Sequence, residues 1–152
     1  MVAHASATKG VRVTDDHRDR HAAPPADAID AGALADARLA FVGAGVMAES
    51  MIAGLLARGL IAPDRIVASH PREDRRQRLR ARHGIVAVEG NREAAAGTDL
   101  VLLTVKPQVL GHVMKGLHGR LEPRQVAVSV IAGASVATLA RGLGHAAIVR
   151  AM

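Results

Sequence analysis

Leu39-Ala40-Phe41-Val42-Gly43-Ala44-Gly45-Val46-Met47-Ala48 changes character twice. Leu39 to Val42 is continuously apolar, the pattern of a strand buried on both faces. Gly43-Ala44-Gly45 breaks the run. Beyond it, Met47, Ala48, Met51, Ile52, Leu55 and Leu56 recur at three- and four-residue spacing, which is one apolar helix stripe. A buried strand, a glycine turn and a helix in that order open a βαβ unit.

The alternation continues outward. Gly59 stands where a helix cap is expected. Pro63-Asp64 turns the chain into a second strand over 65–69. Residues 72–83 have helical composition, with Gly84 as the stop. A third strand is expected over 85–88, one or two helical turns over 91–96, and a fourth strand over 99–105. A helix over 109–117, a strand over 125–131, a helix over 136–143 and a sixth strand from 148 complete the reading. Strands alternating with helices at this spacing predict an α/β fold. Right-handed crossovers make it a Rossmann-type, doubly wound, mostly parallel sheet with helices on both faces. Residues 1–37 are rich in Ala, Asp, His and Pro without sustained apolar periodicity, and are expected to be a disordered leader. Residues 38–152 then form one domain.

Composition narrows the function. Of 152 residues, 49% are hydrophobic, so a packed core is expected. Phe41 is the only aromatic residue, which argues against single-strand binding modules built on stacked rings. The absence of cysteine excludes disulfides, thiolate zinc sites and a cysteine nucleophile. No apolar run approaches the roughly 18 residues of a membrane helix. The net charge of +6 is uneven. Residues 1–37 hold four basic against six acidic residues, which leaves sixteen basic and eight acidic for 38–152. Arg72, Arg75, Arg76, Arg78, Arg80 and Arg82 concentrate that excess on one predicted helix. A nucleic-acid reading of the cluster lacks any accompanying aromatic or known motif. His4, His17 and His21 fit no metal-ligand template, and no metal is expected. His112, His118 and His145 have no evident partner and are expected at the surface, so no catalytic acid–base set is visible.

The glycine turn carries the chemistry. Gly43 to Ala48 spells G-x-G-x-x-A at a strand-to-helix junction. Gly43 permits the tight turn, Gly45 lets a pyrophosphate approach the backbone, and Ala48 lets the helix pack close to the strand. The helix N-terminus then offers N–H groups to the phosphates. A site preferring NAD usually places an acid at the end of the second strand. This chain has Ser69-His70-Pro71-Arg72 there. Ser69 can donate a hydrogen bond and Arg72 can pair with a phosphate, which favours NADP while leaving NAD possible. Lys106 follows the fourth strand and Ala132-Gly133 the fifth, both at the edge where ligands bind in such sheets.

Five segments in order resemble the N-terminal half of the pyrroline-5-carboxylate reductase family. They are F-V-G-A-G-V-M-A at 41–48, I-V-A-S-H-P at 66–71, L-L-T-V-K-P at 102–107, V-S-V-I-A-G-A-S at 128–135 and I-V-R-A-M at 148–152. The resemblance covers about residues 38–152. That family reduces 1-pyrroline-5-carboxylate to proline with NAD(P)H, the last step of proline biosynthesis, so the resemblance implies a cytoplasmic enzyme with a small-molecule substrate. It implies that Val42, Gly43, Ala44, Gly45, Val46 and Met47 contact the pyrophosphate. Ser69 and Pro71 fall at the adenosine ribose and its 2′-phosphate, and Asn91 matches a family cofactor contact. Val105, Lys106, Pro107, Ala132 and Gly133 fall near the nicotinamide. Val46 departs from the family, which often has Asn or Gln there. In the family a P-N-T-P-like stretch and a helical domain follow the segment resembling V-R-A-M. That domain dimerises and supplies the imine-binding residues, so a homo-oligomer is expected only of a full-length form. The resemblance transfers cofactor residues and no catalytic ones. Another imine reductase, a β-hydroxyacid-dehydrogenase-like enzyme, a non-enzymatic NADP-binding module and an inactive gene fragment remain alternatives.

Overall fold

The apolar runs pair as a six-stranded, all-parallel sheet in a computed structural model that describes residues 32–152. A four-residue helix, α1 (Gly32–Ala35), leads into β1 (Leu39–Val42). Then come α2 (Val46–Ala57), β2 (Ile66–Ser69), α3 (Glu73–His83) and β3 (Val86–Val88). The second half holds α4 (Asn91–Ala95), β4 (Leu100–Leu103), α5 (Pro107–Leu117), β5 (Val126–Ser129), α6 (Val136–Leu143) and β6 (Ile148–Arg150). The strand order is β3-β2-β1-β4-β5-β6. The chain starts in the middle and winds out first to one edge and then to the other, which places the topological switch between β1 and β4.

β1 shows why its run is continuous. Leu39 and Phe41 point into one layer with Ala48 and Ile52 of α2, Ile66 and Ala68 of β2, and Leu79 of α3. Ala40 and Val42 point into the other, with Val101 and Leu103 of β4, Leu110 and Val113 of α5, and Leu139 of α6. Successive strand residues face opposite sides, and here both sides are core. The α2–α3 layer covers β1 to β3 but leaves an open apolar groove of about 520 Å³ toward β4 and β5, lined by Leu39, Met51, Leu55, Leu100, Leu102 and Val128.

Several expected boundaries shift. β4 and β5 are shorter than the expected 99–105 and 125–131. Val42 pairs with Leu103 and Leu103 with Ser129, so both ladders stop level with the glycine turn that ends β1. A strand's length is set by its partners, which its own apolar run does not report. α5 begins at Pro107 rather than at 109, because proline's missing N–H costs nothing in the first helical turn. Of the leader expected over 1–37, residues 1–31, including His4, His17 and His21, lie outside those described. Residues 32–37 carry α1, whose Leu34 packs against the α2–α3 layer. Asp36 O accepts a 2.7 Å hydrogen bond from Arg65 Nη1.

Candidate functional site

Gly43 must be glycine. Its φ is +90°, and an added Cβ would collide with the Val105 side chain and lie 3.0 Å from Val105 Cα. The turn therefore seats itself against the end of β4. Ala44 N–H donates to Ser69 O at 2.8 Å, which ties it to β2 as well. Gly45 differs: a Cβ there would meet only Gly43 O, at 4.0 Å, so the space above it is open. Among the described residues no side chain caps α2. Val46 and Met47 are 79% and 56% exposed. An uncapped helix start beside open space above a glycine can accept an anion.

The ends of β2 and β3 are polar and closely wired. Ser69 is fully buried. Its Oγ accepts from Gly43 N–H at 3.2 Å and donates to Asn91 Oδ1 at 2.7 Å. The hydroxyl that the sequence reading offered to a ribose is thus turned inward, joining the glycine turn to the start of α4. His70 Nδ1 accepts from Arg72 N–H at 3.2 Å. Burial, and next the Arg75 charge, hold its pKa below the ordinary 6.5. Arg72 is exposed and its Nε donates to Asp74 at 3.0 Å. Pro71 is exposed beside it, with its carbonyl held at 2.9 Å by Arg76 Nη1.

The arginines of α3 do not form one solvated face. Arg76 is buried and its Nη1 also donates to His70 O at 2.7 Å. Arg80 donates to Ala87 O on β3 at 2.9 Å. Arg75 reaches Ala44 O at 3.2 Å and Glu49 at 2.6 Å. Arg82 Nη1 lies 3.1 Å from the other Glu49 oxygen. Burial opposes charge on Glu49. The His83 hydrogen bond, the charge and hydrogen bond of Arg75 and the Arg82 charge outweigh it and hold the carboxyl below its ordinary 4.5.

The ends of β1, β4 and β5 are different. A cleft of about 390 Å³ opens there between Gly45, Val46 and Met47 on one side and Val105, Lys106, Pro107 and Ala132 on the other. Thr104, Val130 and Ile131, which are not among the expected contact residues, complete its wall. Thr104 Oγ1 lies within hydrogen-bond reach of Val42 O, at 3.1 Å, and Gly43 O, at 3.0 Å, bracing the turn from the β4 side. Strand alternation within L-L-T-V-K-P is the signal that could have marked Thr104. Gly133, at φ +79°, lies just beyond Ala132 and does not line the cleft. His118 is exposed as expected, and His145 differs in being half-buried. His118 Nδ1 lies 3.0 Å from Gly142 O, and the half-buried His145 has Nε2 2.7 Å from Gln125 O. His112 is exposed. No group of residues that could hold a metal occurs among the described residues, and none of their helices is long and apolar enough to cross a membrane.

A parallel sheet with this strand order, a glycine turn at its switch point and a cleft along its carboxyl edge define a Rossmann-type domain. The family described as NADP oxidoreductase coenzyme F420-dependent matches residues 38–133, and the chain belongs to it. Pyrroline-5-carboxylate reductase of Pseudomonas aeruginosa is 44% identical over 108 residues, covering 71% of this chain and 39% of that protein. Among solved structures, a pyrroline-5-carboxylate reductase from Coxiella burnetii matches with a TM-score of 0.72 at 31% identity, over 76% of this chain and 43% of that one. Plasmodium falciparum pyrroline carboxylate reductase, solved with NADP bound, shares the fold at a TM-score of 0.62 and 19% identity, over 72% of this chain and 39% of that one. The chain thus spans about two fifths of the length of these relatives.

Proposed function

We propose that residues 38–152 are the cofactor-binding half of an NADPH-dependent pyrroline-5-carboxylate reductase, which makes L-proline from 1-pyrroline-5-carboxylate. The observation that carries this reading is the meeting of the uncapped α2 N-terminus with the apolar cleft at the switch point. Val46 and Met47 N–H groups would receive the pyrophosphate over Gly45. Asn91 and the β2 end would face the adenosine ribose, with Ser69 holding Asn91 from behind. Arg72 would exchange Asp74 for a 2′-phosphate, and the missing acid at this strand end removes the usual NAD partner. Val105, Pro107, Ile131 and Ala132 would wall the nicotinamide away from water, with Lys106 at the rim. When bound, the cofactor supplies the hydride that reduces the imine carbon. The same reading carries a small-molecule substrate, a cytoplasmic setting and a homo-oligomer of the full-length enzyme.

Fluorescence titration of the 152-residue chain with NADPH and NADH tests it. Saturable NADPH binding, tighter than NADH binding, is expected, with poor turnover of pyrroline-5-carboxylate. Absence of binding to either nucleotide would refute the cofactor assignment. Robust proline formation by this chain would instead refute the view that it holds only the cofactor half.

A further inference from the structure

Glu49 stands in the first turn of α2, beside the N–H groups assigned to a phosphate. An unpaired carboxylate there would repel that anion. It is not unpaired: Arg75 Nη2 donates to Oε2 at 2.6 Å, and His83 Nε2 and Arg82 Nη1 lie 3.3 and 3.1 Å from Oε1. The Glu49 and Arg75 side chains are only 13% and 14% exposed, so solvent screens this pair little. Arg75 also donates from Nε to Ala44 O, at 3.2 Å, the middle carbonyl of the glycine turn. Ala44 C=O and Gly45 N–H share one rigid peptide plane, and Gly45 N–H donates to Gly43 O at 2.7 Å, so gripping the oxygen also steadies the turn from which α2 starts. One guanidinium therefore holds the turn and the helix after it, and reaches both from α3. The planar fork of arginine supplies both donors at fixed angles, which an ammonium does not.

We infer that Arg75 is a positioning residue for the cofactor, neutralising Glu49 and fixing the plane of the Ala44–Gly45 peptide so that the α2 N-terminus meets the pyrophosphate. This rests on the cofactor reading above. The pyrophosphate is common to NADPH, NADH and ADP-ribose, so all three ligands report the grip.

The test compares the wild-type chain with Arg75→Lys, Arg75→Gln and Arg75→Met, the last retaining an unbranched stem. Each variant is melted first, then titrated with the three ligands, and amide hydrogen exchange is followed without ligand. Arg75→Gln and Arg75→Met are expected to weaken all three ligands by about tenfold, the scale of one charge-assisted hydrogen bond. The NADPH-to-NADH ratio stays unchanged, and Arg75→Lys, which keeps the charge without the fork, restores part of the loss. Exchange at Gly45, Val46 and Met47 is expected to speed up while β5 and α6 keep their protection. Loss confined to NADPH would overturn the inference, because Arg75 would then touch the 2′-phosphate directly. A lowered melting temperature with unchanged affinities and unchanged exchange at 45–47 would also overturn it, reducing Arg75 to a structural tie. Failure of the wild type to bind any ligand would refute the cofactor reading instead, and the exchange comparison would still report whether the grip exists.

Discussion

The two sides of the Gly43 turn use the same backbone plan and opposite chemistry. At the ends of β2 and β3, buried Ser69, half-buried Asn91 and the α3 arginines join every loop to its neighbour by hydrogen bonds and ion pairs. At the ends of β4 and β5, Val105, Pro107, Val130, Ile131 and Ala132 line a mostly apolar cleft with Lys106 at its edge. Parallel strands end alike on both sides, so the division comes from the side chains. The polar side suits the charged and ribose-bearing half of a dinucleotide, where buried donors hold position. The aliphatic side suits a flat ring kept from water.

The sharpest way to break this contrast is at the residue between the two sides. Gly43→Ala brings a Cβ into Val105 and forces alanine to φ +90°, so a loss of about 2–5 kcal/mol is expected from strain and overpacking together. Urea unfolding would measure it, and cofactor binding should vanish with it. Ser69→Ala acts on the polar side alone. It leaves Gly43 N–H and Asn91 Oδ1 without their shared partner, at a cost of about 1–3 kcal/mol. The same unfolding curves would read this, and a shift under half a kilocalorie would show that water replaces the hydroxyl.

Arg72→Ala sharpens the contrast within the ligand. NADPH affinity should fall about tenfold while NADH affinity holds, because only the 2′-phosphate is lost as a partner. An equal loss for both nucleotides would move Arg72 away from the phosphate. Acid titration separates the two sides by charge. The Glu49 carboxyl is depressed in the folded chain, so the folded state binds fewer protons than the unfolded one below about pH 4.5. Its contribution is complete above that pH and is lost as pH falls through the folded-state value. Glu49→Gln should therefore flatten the acid limb of stability measured by denaturant titration across pH 3–6. Lys106→Ala carries the smallest effect, about a twofold to threefold loss of either nucleotide, with stability unchanged within about 0.5 kcal/mol.

Much of this arrangement was legible beforehand where chemistry is local. The G-x-G-x-x-A turn, the buried β1 run and the glycine stop after α3 each depend on residues a few positions apart. Lys106 and Ala132 stand at the cleft because strand ends in a parallel sheet converge on one edge, and Val105 and Pro107, which the family resemblance marks, line it beside them. The arginine cluster was not legible in this way. Six arginines in eleven positions look like a solvated face, yet Arg75, Arg76 and Arg80 reach carbonyls on three other segments. Glu49 carries no mark in the sequence, since its partners Arg75, Arg82 and His83 lie on α3. Ser69 falls near a ribose by its place at the end of the second strand and by the family resemblance, whereas its inward partners Gly43 and Asn91 lie far off in sequence.

Periodicity and glycine placement, which follow from backbone sterics and short-range geometry, were enough to establish the α/β alternation, the turn at 43–45 and the edge of the sheet where a ligand would lie. The tertiary structure decided where β4 and β5 stop, which way the Ser69 hydroxyl faces, and that Arg75 grips the turn from another helix. Each of those depends on groups separated by 22 to 61 residues, such as Ser69 with Asn91, Arg75 with Ala44, and Val42 with Leu103. Hydrogen bonds and ion pairs across such distances leave no period in the chain, and exist only once the sheet has brought the strand ends together.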